Sequence, residues 1–180
     1  ATIEHFQNCI KYSEEVKFLL ILAWSWSFLG DAYSYLGDPE TGRRYAEKGL
    51  KIQRDAGFKL FLSLFPLILG DIHLHLGDLK NAQSFMDEAL RVSQKNNEKH
   101  MEGLSWIVLG GILGQTETPQ IHKAEEYILQ GIKILAELKL RPEYARGYLA
   151  LGELYANVGQ KEKALENLKK AETMYQEMCM

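Results

Sequence analysis

The chain has little of what marks a secreted, metal-binding or nucleic-acid-binding protein. It holds only two cysteines in 180 residues, Cys9 and Cys179 at opposite ends. They form neither a metal-spaced nor a redox-spaced pair, so a reducing, cytoplasmic setting is expected, with no metal and no cofactor. No block of basic residues occurs and the formal net charge is −3. That excludes the basic footprint that drives affinity for nucleic acid. Long apolar runs are also missing. The most apolar stretch, Phe58 to Leu69, is broken by Lys59, Ser63 and Pro66, and the run Phe18 to Ala23 is shorter still. Neither can span a bilayer. Residues 1–17 carry Glu4, Lys11, Glu14, Glu15 and Lys17 where a secretory leader needs an apolar segment. The chain starts at Ala1, and its last helical pattern runs to Met180 without a polar cap. It therefore reads as a segment of a longer protein.

What is present is a phrase used four times: Leu29-Gly30-Asp31, Leu69-Gly70-Asp71, Leu109-Gly110-Gly111 and Leu151-Gly152-Glu153. The glycines are spaced by 40, 40 and 42 residues. A fixed period of this length marks a stack of supersecondary units, each too small to bury its apolar face alone. Small residues follow in register at Gly42, Ala82, Ala124 and Ala164, and again at Gly49, Ala89, Gly131 and Ala171. Such residues let two helix backbones approach closely, while Tyr45, Phe85, Tyr127 and Leu168 fill the space beside them. The two extra residues of the third unit fall between Gly110 and Ala124, most naturally in the loop 115–120.

Each unit reads as two antiparallel helices, A and B. The A helices are expected near 20–36, 59–76, 98–113 and 142–158, and the B helices near 39–55, 79–96, 120–138 and 161–178. Gly37, Gly77 and Gly159 suit the left-handed residue that closes a helix. Asp38-Pro39 and Thr118-Pro119 each read as an N-cap followed by proline at the first helical position, and Pro142 can start the fourth A helix. Pro66 lies inside the second A pattern, so that helix is expected to kink or to start late. Residues 1–17 read as the B helix of a truncated preceding unit, with Cys9 on the packing register of Gly49. The expected boundaries are thus 1–17, 20–57, 58–97, 98–139 and 140–180 within one array.

These residues resemble the tetratricopeptide repeat family. Trp26-x2-Leu29-Gly30-x2-Tyr33 matches its helix-A motif completely, and Trp106-x2-Leu109-Gly110 and Tyr148-x2-Leu151-Gly152-x2-Tyr155 match with small departures. The second unit departs more, with Pro66 and His73 at the aromatic positions. The period exceeds the family's 34 residues by six, under one extra turn per helix. Repeats of this length resemble those of bacterial signalling ATPase and cyclase proteins and of polarity scaffolds. The implied fold is all-α: a right-handed α-α superhelix, a TPR-like solenoid of about nine helices.

The resemblance further implies that the A helices line a concave face read by a peptide. By register, the first unit presents Trp24, Ser27, Asp31, Ser34 and Tyr35 there, and the second Leu64, Leu67, Asp71, Leu74 and His75. The third presents Leu104, Ile107, Gly111 and Gln115, and the fourth Arg146, Leu149, Glu153 and Asn157. The residue after each Leu-Gly makes a ladder Asp31, Asp71, Gly111, Glu153, beside an apolar strip that includes Leu67, Ile107 and Leu149. Such a face suits an amphipathic, basic protein or peptide segment. The bland alternative is that these acids only solvate their helices. Asp31 and Asp71 stand where the family's clamp for C-terminal carboxylates wants an amide or a base, which disfavours chaperone tails.

Catalysis finds little support. Gly110-Gly111-x2-Gly114 lacks the Lys-Ser/Thr and the preceding strand of a phosphate loop. Acids on neighbouring A helices would stand about 8–10 Å apart, within range for an inverting carboxylate pair, yet nothing else marks a sugar site. His73 and His75, two apart on a helix, point away from each other. The aromatics Trp26, Trp106, Tyr33, Tyr148 and Tyr155 read as motif core, and Trp24 and Tyr35 as facing the groove. The expected function is thus a non-catalytic interaction module in a larger signalling protein, with no nucleic acid or membrane partner. The alternative is a structural spacer or homodimerisation segment of a multidomain ATPase or nucleotide cyclase. Reversing the charges of Asp31 and Asp71 together is the expected test of the groove.

Overall fold

A computed structural model describes residues 2–116 and 118–178; Cys179, expected near a frayed end, lies outside them. The described residues form nine α-helices and no strand. In chain order they are α1 (Thr2–Glu15), α2 (Leu19–Tyr35), α3 (Pro39–Ala56), α4 (Leu64–His75), α5 (Leu79–Asn96), α6 (Lys99–Gln115), α7 (Ile121–Glu137), α8 (Arg141–Asn157) and α9 (Lys161–Glu177). The A helices are α2, α4, α6 and α8. The chain divides into two compact units, residues 1–89 and 90–180, and the division falls within α5.

The helix ends follow from local chemistry. Asp38 accepts a hydrogen bond from the Thr41 backbone N–H at 3.1 Å and Pro39 takes the first position of α3. Proline costs nothing there because its missing N–H would have no helical partner. Asp78 caps α5 in the same way through the Asn81 N–H. Gly37, Gly77 and Gly159 adopt φ of 91°, 75° and 74° where α2, α4 and α8 end. Among the B-to-A turns, Gly57 serves after α3, but Lys17, Asn97 and Lys139 hold φ of 54° to 59°, a region that side chains enter at a cost.

Two end positions differ from expectation. Pro66 lies in the first turn of α4, which starts at Leu64, and the first N–H to bond within that helix is that of Leu67, to Ser63 O. The proline shortens the helix at its start and leaves it without an internal break. Thr118-Pro119 does not begin α7, whose cap residue is Gln120. The longer loop before α7 absorbs both residues, whereas the other A-to-B turns span only 36–38, 76–78 and 158–160.

In the first unit α2 packs on α3, on α1 and on α4, and α3 packs on α4. A Cβ added to Gly30 would stand 2.5 Å from the Gly42 carbonyl oxygen, and one on Gly42 equally close to Gly30 O. The two backbones touch, so the crossing tolerates no side chain at either position. Around it Ile10, Leu22 and Leu29 form a buried cluster flanked by Trp26, Tyr33 and Tyr45, whose rings lie 5.3 Å (Trp26–Tyr45) and 5.4 Å (Tyr33–Tyr45) apart. Every α4 residue from Leu64 to His73 is buried, with the His73 ring stacked on Phe85 at 5.3 Å.

In the second unit α6 packs on α7 and α8, α7 on α8, and α8 on α9. Gly110 meets the Ala124 carbonyl at its crossing and Gly131 meets that of Gly103. Ile107, Ile128, Leu135, Leu151 and Leu154 fill the core between them. Each such aliphatic side chain contributes roughly 2 kcal/mol by leaving water. Cys9 departs from its expected packing role. It is exposed on α1.

Candidate functional site

The residue after each Leu-Gly glycine sits one step around the helix from the crossing, and its environment differs between the units. In the first unit α2 and α4 run side by side, with Ser34 and Tyr35 in the last turn of α2 and Asp71 and His75 one turn apart on α4. The Tyr35 hydroxyl donates to Asp71 Oδ2 at 2.7 Å. Ser34 Oγ and His75 Nδ1 share a hydrogen bond at 2.7 Å, and the His75 ring meets the Tyr35 ring edge-on with centroids 5.0 Å apart. Four candidates, two from each helix and bonded across 36 and 41 residues of sequence, are thereby drawn together, and Asp71 is left only 3% exposed.

That burial changes the meaning of the ladder. Asp71 answers an internal donor, so it offers no open carboxylate to a partner, and its reversal to lysine would put an unpaired cation in the core. Asp31, half-buried on α2, keeps a surface position. Ser27 is 1% exposed and packs against Gly49 of α3, with its hydroxyl lacking a hydrogen-bond partner. It belongs to the helix crossing and not to the open face. Leu64 and Leu67 are buried in α4 and Ile107 in the second core, so of the named apolar strip only Leu149 is exposed. Trp24 is half-buried against Phe61, with ring centroids 5.7 Å apart. Leu74 is partly buried.

In the second unit the same register is open. A cavity of about 330 Å³ lies between the last turns of α6 and α8. Gly111 and Gln115 line it from α6, and Glu153 and Asn157 from α8, so four sequence-selected candidates meet at one place. The space exists because its other walls are small. Gly114, Ala150 and Ala156 contribute almost no side chain, and a Cβ added to Gly111 would find nothing within 4 Å. Leu154 closes the bottom, within contact of Gly114. These four residues were absent from the candidates, although each lies three or four positions from one of them and hence on the same helix face.

The remaining candidates lie elsewhere. Leu104 packs on the core of the second unit. Arg146 is half-buried near Tyr175 of α9, where its charge opposes the upward push that burial gives that phenol. Tyr155, a motif aromatic, is buried and pushed up to about 12 by that burial and by its hydrogen bond with Glu125. A second concavity, of about 350 Å³ between α6 and α7, is lined by both signs of charge, with Lys99 Nζ on Glu102 Oε2 at 2.7 Å. Among the described residues no group of three or more His, Cys, Asp or Glu could hold a metal ion. No helix among them is long and apolar enough to cross a membrane.

Among curated proteins, no sequence matches the chain. Solved structures do match in shape. The apo form of RapI superposes over 98% of this chain with a TM-score of 0.80 at 14% identity, and the match covers 61% of RapI. A Rap protein complexed with competence and sporulation factor aligns over 97% of the chain, TM-score 0.80 and 17% identity, with 48% of that protein covered. A putative kinesin light chain of Podosopora anserina with TPR-like repeats aligns over 98% of the chain and 86% of its own, with TM-score 0.58 at 16% identity. The chain thus spans roughly half to three fifths of the Rap proteins it resembles, and these likenesses establish the all-α helical repeat fold. A family model described as tetratricopeptide repeat matches residues 25–55, 67–96 and 145–177. Those matches fall on three of the helix pairs built around Leu-Gly and cover just over half of the chain, which belongs to the tetratricopeptide repeat family.

Proposed function

We propose that the chain is a non-catalytic protein–protein interaction module that takes a peptide or helical segment of a partner against its A helices. The observation that carries this reading is the cavity in the second unit, where Gly111, Gln115, Glu153 and Asn157 meet around open space. Membership of a repeat family whose helix pairs stack into surfaces supports it. So does the description of one structural neighbour as a complex with competence and sporulation factor. Carboxylate-pair catalysis finds little support at Asp71, whose carboxylate is buried and accepts a hydrogen bond from Tyr35. The partner would offer apolar side chains and positive charge, and the module would work in the cytoplasm as a regulatory part of a larger signalling protein.

A specific observation favours the second reading, a spacer or homodimerisation segment. Val16, Phe18 and Leu19 at the α1–α2 turn, and Leu60 and Phe61 before α4, are all exposed. Exposed apolar side chains of this size are the kind that assembly contacts cover. Two measurements separate the readings. Light scattering of the chain is expected to give a monomer. Selection from a random peptide library, followed by hydrogen-exchange mapping of a selected peptide, is expected to protect amides of α2 and α4 or of α6 and α8. A dimer that buries Trp24 and Tyr35, or protection confined to α3, α7 and α9, would overturn the peptide-binding reading.

A further inference from the structure

The two units hold the same register in two different states, and the comparison indicates what the open one receives. In the first unit the acid after Leu-Gly, Asp71, takes a hydrogen bond from Tyr35 of the preceding A helix, and the phenol and the His75 ring fill the space between the last turns. In the second unit every filler is gone. Gln115 stands at the register of Tyr35, Asn157 at that of His75, Gly114 at that of Ser34 and Gly111 at that of Asp31. The acid remains, as Glu153. It is exposed, and none of the hydrogen bonds or ion pairs among the described residues uses its carboxylate.

We infer that the cavity between α6 and α8 receives one cationic side chain, arginine or lysine, from the bound partner segment. This rests on the peptide-binding reading above and names the chemistry of one contact within it. Three features point to a cation. The Glu153 carboxylate is the one charged group in the lining, and it is negative. Gln115 and Asn157 add carboxamide oxygens that accept hydrogen bonds. Gln115 and Asn157 are also the last residues of α6 and α8, so the negative ends of two helix dipoles lie beside this site. The size is as informative as the charge. About 330 Å³ sits at the bottom of the range for small-molecule pockets, which suits a single long side chain better than a cofactor. The glycine and alanine walls accommodate its methylene stem and leave the head group to Glu153.

Gly111 makes the idea testable without disturbing the helix crossing, since a Cβ added there finds nothing within 4 Å. Peptides from a displayed random library are selected in parallel against the full chain and against its Gly111→Phe and Glu153→Gln variants, with thermal melts as controls. The full chain is expected to enrich arginine or lysine at one fixed peptide position. Replacing that residue by norleucine should weaken binding about ten-fold, the scale of one charge-assisted hydrogen bond. Both variants should lose the enrichment at that position alone, with unchanged melting. Peptides that bind equally well with norleucine, or basic enrichment that survives in both variants, would overturn the inference and leave peptide binding standing. Absence of any selected peptide would instead remove the reading on which it rests.

Discussion

The Tyr35 hydroxyl donates to Asp71 Oδ2 at 2.7 Å, joining the last turn of α2 to the middle of α4 across 36 residues of sequence. Tyr35 is itself 54% exposed while Asp71 is 3% exposed. The bond is therefore a lid of one atom over a buried carboxylate. A Tyr35→Phe variant should lose about 1 kcal/mol, because the acid keeps its burial and loses a donor. Urea denaturation measures this as a lower midpoint at unchanged slope. An unchanged midpoint would mean that water replaces the phenol without cost.

Glycines in the same motif should respond in opposite ways. Gly30→Ala places a Cβ 2.5 Å from a backbone oxygen that cannot rotate away, and should destabilise by about 2–3 kcal/mol. Gly111→Ala adds a methyl to open space within a helix and should stabilise by about 0.5–1 kcal/mol. Thermal unfolding of the two variants gives the comparison directly.

The turn before α8 offers a stabilising change. Lys139 holds φ of 59°, a conformation that glycine adopts freely. Lys139→Gly should raise stability by roughly 0.5–1 kcal/mol, read from the urea midpoint. A drop would show that the lysine side chain contributes more than its backbone costs.

Acid should weaken the fold through the N-caps. The Thr41 amide beside Asp38 and the Asn81 groups beside Asp78 hold both carboxyls below their ordinary value of 3.8. A lowered folded-state pKa gives stability that is present above about pH 4 and is lost as the pH falls further. Asp38→Ala and Asp78→Ala variants should therefore flatten the acid limb of a stability profile recorded below pH 4.

The alkaline limb should report Tyr155. Its phenol ionises at about 12 against an ordinary 10, first because it is buried and then because of Glu125. A raised folded-state pKa means stability that is intact below pH 10 and lost as the pH rises toward 12. In a phenolate absorbance titration, Tyr155→Phe should remove a late component. Loss of an early component would contradict this assignment.

Sequence pattern revealed the helix pairs because their causes are local or periodic. The Leu-Gly crossings, the left-handed Gly37, Gly77 and Gly159, and the Asp38 cap each depend on one or two residue types at fixed offsets. Face assignments by register were less secure. Ser27 lies on the strip that α2 shows to α3, since a helix with neighbours on three sides has few outward positions. Asp71 became internal because Tyr35, in another repeat, reaches it. The Thr118-Pro119 cap failed because a five-residue loop leaves room for proline before the helix. The cavity was legible only in part: Gly111 and Glu153 stood out singly, but volume arises where side chains are missing from two helices at once, and no periodicity records that.

The reciprocal contact of Gly30 and Gly42 has a consequence for mutational mapping of this protein. Both positions would register as intolerant in any screen for partner binding, although neither can touch a partner. Residues at the α6–α8 cavity would show the reverse signature, with soluble, well-folded variants that differ only in selectivity. Severity of loss is thus a poor guide to where recognition happens here. The informative positions are those whose replacement leaves abundance untouched.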